Sequence, residues 1–205
     1  MIYNLCKATG VRVTKEIAEC VYTALITDTG SFHYSNTTER TFKVASELVR
    51  TGVKPAKTAE AVFASYPWSR IQLMGAVLST ARRDESGRVA LMRHTLEMQR
   101  CAQASDEDAD GFVNYPLTVG EVEAVALLKE CETGVYRTSL RSKGEVNVAK
   151  VAEKFGGGGH RNAAGCTLRG SWEEVENQIT SLLQDAVGRA NGNPDVTEDG
   201  LREES

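Results

Sequence analysis

The sequence predicts an α/β protein in two parts, because the spacing of its apolar residues changes near residues 83–87. From residue 14 to residue 82 the apolar residues recur every three to four positions, which is the spacing of amphipathic helices. Beyond residue 88 the spacing becomes that of strands, in short runs bounded by turn residues. The polar segment between the two regions marks the domain boundary, and 205 residues suffice for two small domains.

The composition is that of an ordinary globular protein, with 41% hydrophobic and 25% charged residues. No apolar run approaches the ~20 residues that cross a bilayer. The first residues also lack the pattern of a signal peptide. The five cysteines are scattered and form no C-x-x-C pair, so they predict free thiols in a reducing compartment. We therefore expect a cytoplasmic protein with no membrane partner.

Charge is distributed unevenly along the chain, although its net value is only −4. Residues 137–169 hold seven bases against two acids. Residues 189–205 hold five acids against two bases and predict a disordered acidic tail. A local excess of positive charge in a neutral body predicts a site for a small anion or a short nucleic-acid strand. The alternative is a solvated helix face.

Helix-capping residues divide the first part. Thr14 caps a helix that runs into the segment around Asp28. Asn36 and Glu39 have the spacing of a capping box and open the next helix. Pro55 fits the first turn of another, and residues 69–82 predict a further amphipathic helix.

The second part alternates strands and helices. The predicted strands are residues 88–95, 122–128, 135–142 and 163–168, of which the second and third form a hairpin. Asn147 caps a short helix before a run of glycines. Ser171 and Glu174 form a capping box that opens the last helix.

Asp28 follows an apolar segment and precedes a glycine, in the sequence Thr27-Asp28-Thr29-Gly30. An aspartate held by packing behind it and exposed by a turn in front suits a metal ligand or a general base. The same residues also form ordinary local turns. Asp-Thr-Gly further occurs in aspartic proteases, but that function needs a second aspartate and a chain dominated by strands. Here the motif lies between two helical patterns.

Four successive glycines, Gly156 to Gly159, precede His160 and Arg161. One glycine is enough to end a helix, so the others need another reason. Consecutive glycines let the backbone approach a ligand and turn its N–H groups toward an anion. A flexible linker is the alternative, but the apolar continuation at residues 163–166 argues against it.

The predicted strand 135–142 carries a polar face. Arg137, Ser139, Arg141 and Lys143 alternate along it and share one side. Guanidinium groups bind phosphate oxygens through two hydrogen bonds, so this face predicts a phosphate cradle. The alternative is an edge strand protected by charge.

Taken together, these three places resemble the DHH phosphoesterase family with its DHH-associated C-terminal domain, over residues 1–187. Asp28-Thr29-Gly30 resembles the late metal-ligand motif of that family. The motifs that resemble the associated domain are Ser139-Leu140-Arg141-Ser142, Gly157-Gly158-Gly159-His160 and Ala163-Ala164-Gly165. Residues 110–116 resemble the corresponding segment of the subgroup that degrades very short RNAs and dephosphorylates pAp.

The resemblance implies an α/β fold in four segments. Residues 1–66 would be the C-terminal remnant of a Rossmann-like parallel-sheet DHH domain, and residues 67–86 a linker helix. Residues 87–188 would be a smaller, substrate-binding DHH-associated domain with a mixed sheet, followed by the tail 189–205. The implied chemistry is hydrolysis of short single-stranded RNA (nanoRNA) or a nucleotide 3′,5′-bisphosphate, with paired Mn²⁺ ions that activate a water.

The resemblance also implies roles for individual residues. Asp28 would be a catalytic metal ligand. The residues that would contact substrate are Arg137, Ser139, Arg141, Ser142, Lys143, Gly157, Gly158, Gly159 and His160.

Two departures from the family pattern matter. His33 stands where the family usually has arginine, and the Asp-His-His motif that names the family is absent from the sequence. One aspartate cannot hold two Mn²⁺ ions, since each needs several ligands. The first residues also predict the last turns of a helix, with no capping residue before them. We therefore expect an N-terminally truncated or split product that is catalytically incomplete alone. The alternatives are a short-nucleotide binding module, or a subunit whose missing half comes from a second copy or a partner.

Overall fold

The structure, a computed structural model, describes residues 2–33 and 36–192 and divides into two compact units, Met1–Tyr66 and Pro67–Ser205. The predicted disordered tail lies outside the described residues from residue 193 onward. Arg189 and Ala190, which the prediction placed in that tail, instead form the end of the last helix. No described helix is both long and apolar enough to cross a membrane.

The first unit consists of helices in its described residues: α1 (Ile2–Thr9), α2 (Lys15–Asp28), α3 (Glu39–Arg50) and α4 (Pro55–Phe63). Its core is small. Ala18, Tyr22 and Ile26 of α2 meet Ala45 and Leu48 of α3. Residues 2–33 and 36–66 contain no strand, so this unit shows none of the parallel sheet that the resemblance implies.

The caps of the first unit confirm one prediction and correct another. Thr14 Oγ1 accepts a hydrogen bond from the Ile17 amide at 3.4 Å, as predicted for the start of α2. The predicted Asn36 cap of α3 is wrong. Thr38 caps that helix and forms a capping box with Thr41. The side-chain amide of Asn36 is engaged elsewhere, since it donates to the carbonyl of Asp28 at 3.0 Å.

The second unit is built on a six-stranded sheet in the order β1-β2-β3-β4-β6-β5. The strands are β1 (Arg82–Arg83), β2 (Val89–His94), β3 (Ala124–Glu132), β4 (Val135–Ser142), β5 (Gly158–His160) and β6 (Ala163–Arg169). The β2–β3 pair is parallel and the other pairs are antiparallel. The mixed sheet and the β3–β4 hairpin are therefore confirmed.

The helices of this unit are α5 (Trp68–Leu78), α6 (Leu96–Ala102), α7 (Val148–Glu153) and α8 (Trp172–Ala190). Three short 3₁₀ turns lie between α6 and β3, at Glu107–Ala109, Phe112–Asn114 and Pro116–Thr118. Asn147 caps α7 by accepting from two backbone amides, and Ser171 and Glu174 form the capping box of α8, both as predicted.

The segment predicted as a linker helix is an integral layer of the second unit. Leu73 and Val77 of α5 are fully buried in its core. The predicted helix 69–82 also ends early, at Leu78. Thr80 Oγ1 accepts from the amide of Arg93 at 2.8 Å, which draws the chain to the sheet edge, where β1 pairs with β2.

The two faces of the sheet are covered to different extents. On one face α7 and α8 pack over β2, β3, β4 and β6 through a continuous apolar core that includes Leu128, Leu140 and Leu168. On the other face α5, α6 and the 3₁₀ turns cover the β2–β3 half, through Met92 and Leu127. The half of that face formed by β4, β6 and β5 keeps exposed and half-buried residues.

Glu176 of α8 is a buried carboxylate held by two arginines. Its side chain is 3% exposed and forms ion pairs with Arg82 and Arg93. The Arg93 guanidinium also lies over the Trp172 ring, 5.2 Å from its centre. Burial alone would raise the pKa of Glu176, but the two arginines outweigh it and hold the pKa below its usual value.

Replacing this carboxylate should destabilise the second unit. Glu176→Ala removes a buried ion from between two cations, and breaking such a pair typically costs 3–5 kcal/mol. Because both arginines reach solvent, we expect a loss of about 2 kcal/mol in the free energy of unfolding. Urea unfolding followed by circular dichroism measures it. Glu173→Ala, at an exposed position of the same helix, is the control. Equal losses in both variants would contradict a special role for Glu176.

Candidate functional site

The uncovered half of the sheet brings together most of the predicted substrate residues. We call it the open face. Its members are Arg137, Ser139 and Arg141 of β4, Ala163, Gly165 and Thr167 of β6, and Gly158 and His160 of β5. Residues paired across antiparallel strands point to the same side, so these eight form rows across the sheet.

Three rows cross the open face. One runs from Arg141 through Ala163 to His160. The middle row runs from Ser139 through Gly165 to Gly158, and it has almost no side chain above the sheet. The third pairs Arg137 with Thr167. Two cationic positions therefore flank a shallow central strip, which leaves room for a ligand to lie on the backbone.

Arg141 is a half-buried cation without an ion pair. Its guanidinium donates to the carbonyl of the adjacent Leu140 at 2.9 Å, and no carboxylate among the described residues pairs with it. Burial lowers the pKa of Arg141, although an arginine remains charged at neutral pH. A partly desolvated charge is unfavourable until an opposite charge compensates it. The position is therefore suited to an anion.

A cleft of about 250 Å³ adjoins the open face at Arg137 and Ser139. Its opposite wall is the acidic segment 106–110. Lys129 of β3 lies in the same cleft with a side chain that is 13% exposed, and its Nζ is 2.6 Å from Asp106 Oδ1. That bond from Lys129 holds the pKa of Asp106 below its usual value. The cleft thus joins a cationic wall to an acidic one.

Lys129 is a site residue that the sequence prediction missed. The predicted strand ended at residue 128, one position short of it. The register pairs Lys129 with Arg137 across the hairpin, so the two cations lie side by side. Extending the strand by one residue would have revealed it, because Lys129 shares the alternation of Val125 and Leu127.

The acidic wall is anchored from α5. Ser105 donates its amide to Asp108 Oδ2 at 2.7 Å, and Arg70 donates to the carbonyl of Asp110 at 2.6 Å. The Arg70 guanidinium also lies 4.9 Å from the centre of the buried Phe112 ring. The conformation of this wall is therefore fixed by packing and hydrogen bonds.

Gly157 and Gly159 are required for close packing of the backbone, a role that was not predicted from the sequence. A Cβ atom at Gly157 would lie 2.2 Å from the carbonyl oxygen of Gly165, and one at Gly159 would lie 2.5 Å from that of Ala163. The amide of Gly157 donates to the carbonyl of Ala152 at 3.0 Å and closes the end of α7. Gly158 has open space around its Cα. Close strand packing thus explains Gly157 and Gly159, and Gly158 faces the open side.

Ser142 and Lys143 are not brought to the open face. Ser142 is buried on the other side of β4 and donates to the carbonyl of Val146 at 2.7 Å. Its oxygen also accepts from Asn162 at 2.9 Å. Because β4 ends at Ser142, Lys143 leaves the alternation of the strand, and its Nζ donates to the carbonyl of Val119 at 2.7 Å. The predicted single face of four residues therefore contains Arg137, Ser139 and Arg141 alone.

Asp28 is the last residue of α2, and its side chain is exposed. The turn after it is rigid. Thr29 Oγ1 donates to the carbonyl of Leu25 at 2.6 Å and accepts from the amide of Phe32 at 3.2 Å. His33 closes the turn through its Nδ1, 3.0 Å from the carbonyl oxygen of Gly30. Asp28 is thus exposed at the end of the helix that was predicted to run into this segment.

No carboxylate, histidine or thiol joins Asp28 to make a metal centre within the described residues, where no group of three or more such side chains occurs. The helical setting also lacks the strands that an aspartic protease needs.

His94 is fully buried at the end of β2. Its register partner is Lys129, and neither ring nitrogen has a hydrogen-bond partner. Burial is the main cause that lowers the pKa of His94 to about 4, and the charge of Lys129 acts in the same direction. The ring is therefore neutral at physiological pH.

Comparison with known proteins defines the class of this chain. Residues 95–189 match the family model of the DHHA1 domain. The second unit therefore carries the DHH-associated C-terminal domain that its motifs predicted.

Particular relatives narrow the class further. The chain is 38% identical over 192 residues to the bifunctional oligoribonuclease and PAP phosphatase NrnA of Thermus thermophilus, covering 93% of this chain and 57% of that protein. It is 27% identical to the protein of the same name from Bacillus subtilis, covering 89% of this chain and 58% of that protein. The crystal structure of an exopolyphosphatase-related protein from Bacteroides fragilis matches with a TM-score of 0.87 and 33% identity, covering 93% of this chain and 56% of that one. The chain thus spans somewhat more than half the length of each.

The buried His94 should make stability depend on pH. Its folded pKa of about 4 lies below the ordinary value of 6.5, so the unfolded chain binds more protons between these limits. Stability is therefore complete above pH 6.5 and falls as the pH drops toward 4. We expect a loss of about 2 kcal/mol between pH 7.5 and pH 5. Urea unfolding at both pH values measures it, and His94→Leu should remove most of this difference. An unchanged pH dependence in that variant would refute the assignment.

Proposed function

We propose that this chain supplies the nucleotide-binding domain of a phosphoesterase that acts on short oligoribonucleotides and on nucleotide 3′,5′-bisphosphates such as pAp. The observation that carries the proposal is the half-buried Arg141, a cation without an ion pair at the edge of the open face. The names of the two relatives, which are oligoribonucleotide and pAp hydrolases, support the substrate class.

The chemistry of the open face suits a nucleotide with two phosphates. Arg141 can donate two parallel hydrogen bonds to one phosphate, and His160 lies in the same row. Arg137 lies four residues away along β4, which is ~13 Å of strand. Both side chains are long enough to turn inward, so a second phosphate can meet Arg137 while the sugar lies over the glycine row. Ser139 adds a hydroxyl between the two cations.

Paired Mn²⁺ ions are the metal expected for the family, and the described residues do not fit such a centre. Asp28 is an exposed carboxylate, and no group of three or more potential metal ligands occurs in the described ranges. Hard divalent cations need several oxygen or imidazole ligands each. This chain alone therefore binds nucleotide but does not hold the metal pair and does not catalyse hydrolysis. Asp28 contributes one ligand to a centre that other protein segments complete.

The surface beside Asp28 favours an interface with a protein segment that supplies further metal ligands. An open groove of about 720 Å³ runs along α2 between α1 and α3, and it is predominantly apolar. Ile17, Val21 and Leu25 line it, and Asp28 lies at its end. An apolar surface of this kind typically belongs to an interface. A separate subunit with the Asp-His-His motif would place its ligands next to Asp28 by packing here, whereas a second copy of this chain also lacks that motif.

Arg141 should carry most of the affinity for a nucleotide bisphosphate. Arg141→Gln removes a charge-assisted, partly desolvated contact, so the dissociation constant for pAp should rise roughly 10- to 100-fold. Isothermal titration calorimetry of the purified chain measures it. Arg12→Gln is the matched control, because Arg12 is exposed in the first unit and has no ion pair among the described residues. Equal affinities in the two variants would count against the open face.

Catalysis by the chain alone provides the second test. With Mn²⁺ present, the purified chain should release neither phosphate from pAp nor mononucleotide from 5′-phosphorylated diadenosine. An electron paramagnetic resonance titration should also show no tightly bound pair of Mn²⁺ ions. Turnover that Asp28→Asn abolishes would overturn the claim of incompleteness while supporting the substrate class. Absence of both turnover and pAp binding would overturn the proposed function itself.

A further inference from the structure

A second positively charged surface lies on the helical side of the second unit. An open groove of about 560 Å³ runs between α7 and α8. Four bases line it, Lys150, Lys154, Arg161 and Arg189, together with two acids, Glu145 and Asp185. The groove therefore carries a net charge of about +2 in a chain whose net charge is −4. It lies on the other side of the sheet from the open face, because α7 and α8 cover that side.

Three of the four bases are available to a ligand. Arg161 forms an ion pair with Glu145, which fixes one end of the groove. Lys150, Lys154 and Arg189 are exposed and form no ion pair with any described residue. Because these three cations line one groove, an anion that enters the groove is attracted by each of them.

The floor of the groove is apolar. Leu182, Ala186 and Ala190 follow one another at four-residue intervals on α8 and are half-buried against the main core. The stretch from Leu182 to Ala190 is ~12 Å long. A cationic rim above an apolar floor matches the two surfaces of a single-stranded nucleic acid, whose phosphates are charged and whose bases are flat and apolar.

The groove is linked to the open face by two adjacent residues. His160 is the last residue of β5 and belongs to the open face, and Arg161 follows it in the turn that leads to β6. Arg161 lines the groove. The turn between β5 and β6 thus connects the row of Arg141 and His160 on the open face with Arg161, which lines the groove.

We propose that this groove binds the backbone phosphates of the part of an RNA strand that extends beyond the nucleotide held on the open face. The inference rests on the proposed function and deepens it, because it gives the chain a means of distinguishing longer oligonucleotides from pAp. A nucleotide bisphosphate is confined to the open face and gains nothing from the groove. A strand of several nucleotides reaches both surfaces and binds more tightly.

The test compares two ligands on three proteins. The ligands are 3′-fluorescein-labelled hexaadenylate, measured by fluorescence anisotropy, and pAp, measured by calorimetry. The proteins are the wild-type chain, a groove variant (Lys150→Gln, Lys154→Gln, Arg189→Gln) and a matched control (Arg12→Gln, Lys54→Gln, Lys57→Gln). The control removes two lysines and one arginine from exposed positions in the first unit.

The groove variant should bind hexaadenylate about tenfold or more weakly than the wild type. Its plot of log affinity against log salt concentration should be shallower by up to about 2, from roughly 0.7 for each lost phosphate contact. Its affinity for pAp should be unchanged, and the control should behave like the wild type with both ligands.

Two results would overturn the inference. One is an unchanged hexaadenylate affinity in the groove variant. The other is an equal loss in the control, which would indicate a general effect of net charge. Failure of the wild-type chain to bind pAp would instead refute the proposed function, so the two failures can be told apart.

Discussion

The unequal covering of one sheet determines where this protein can bind a ligand. β4 lies between β3, which is covered on both faces, and β6, which is covered on one face. Alternate residues of β4 therefore face the core and the open side. Tyr136 and Leu140 enter the core beneath α7 and α8, while Arg137 and Arg141 face the open side. A shift of one residue in register would bury both arginines and expose the core. The core thus fixes the register, and the register fixes the position of the cations.

Much of this arrangement follows from local patterns in the sequence. The alternation in residues 135–142, the hairpin before it and the caps at Asn147 and Ser171 were predictable, because each depends on residues close together in the chain. β1 and β5 were not predictable, because strands of two or three residues are too short to show an alternation of apolar and polar residues. The positions of Lys129 and Lys143 were also missed. Both depend on where a strand ends, which the partner strands decide.

The glycine motif was assigned to the correct domain, but the physical reason given for its glycines was incomplete. The run of glycines suggested a backbone opened toward an anion. The structure shows that Gly157 and Gly159 are needed first for the close approach of β5 to β6. The partners in that approach are the carbonyl oxygens of Gly165 and Ala163, together with Ala164 and Cys166. The two motifs are thus halves of one contact, and pairing them required knowledge of the sheet. His160 reaches the open face because this tight packing brings β5 alongside β6.

Binding and metal chemistry depend on different parts of the chain, and the physical requirements of each differ. Phosphate recognition needs a few cations and donors held by one sheet, and Arg137, Ser139, Arg141 and His160 meet that need within a single unit. A pair of divalent ions needs many anionic or imidazole ligands converging on two points, and in the described residues Asp28 has no such companions. Energy spent on binding the substrate alone does not accelerate its hydrolysis, since catalysis requires interactions that strengthen in the transition state. Under the proposed function, binding to Arg141 therefore positions the nucleotide and does not by itself accelerate its hydrolysis. Under the function proposed above, the rate acceleration comes from further metal ligands, and the apolar groove beside Asp28 is the surface where we propose that they dock.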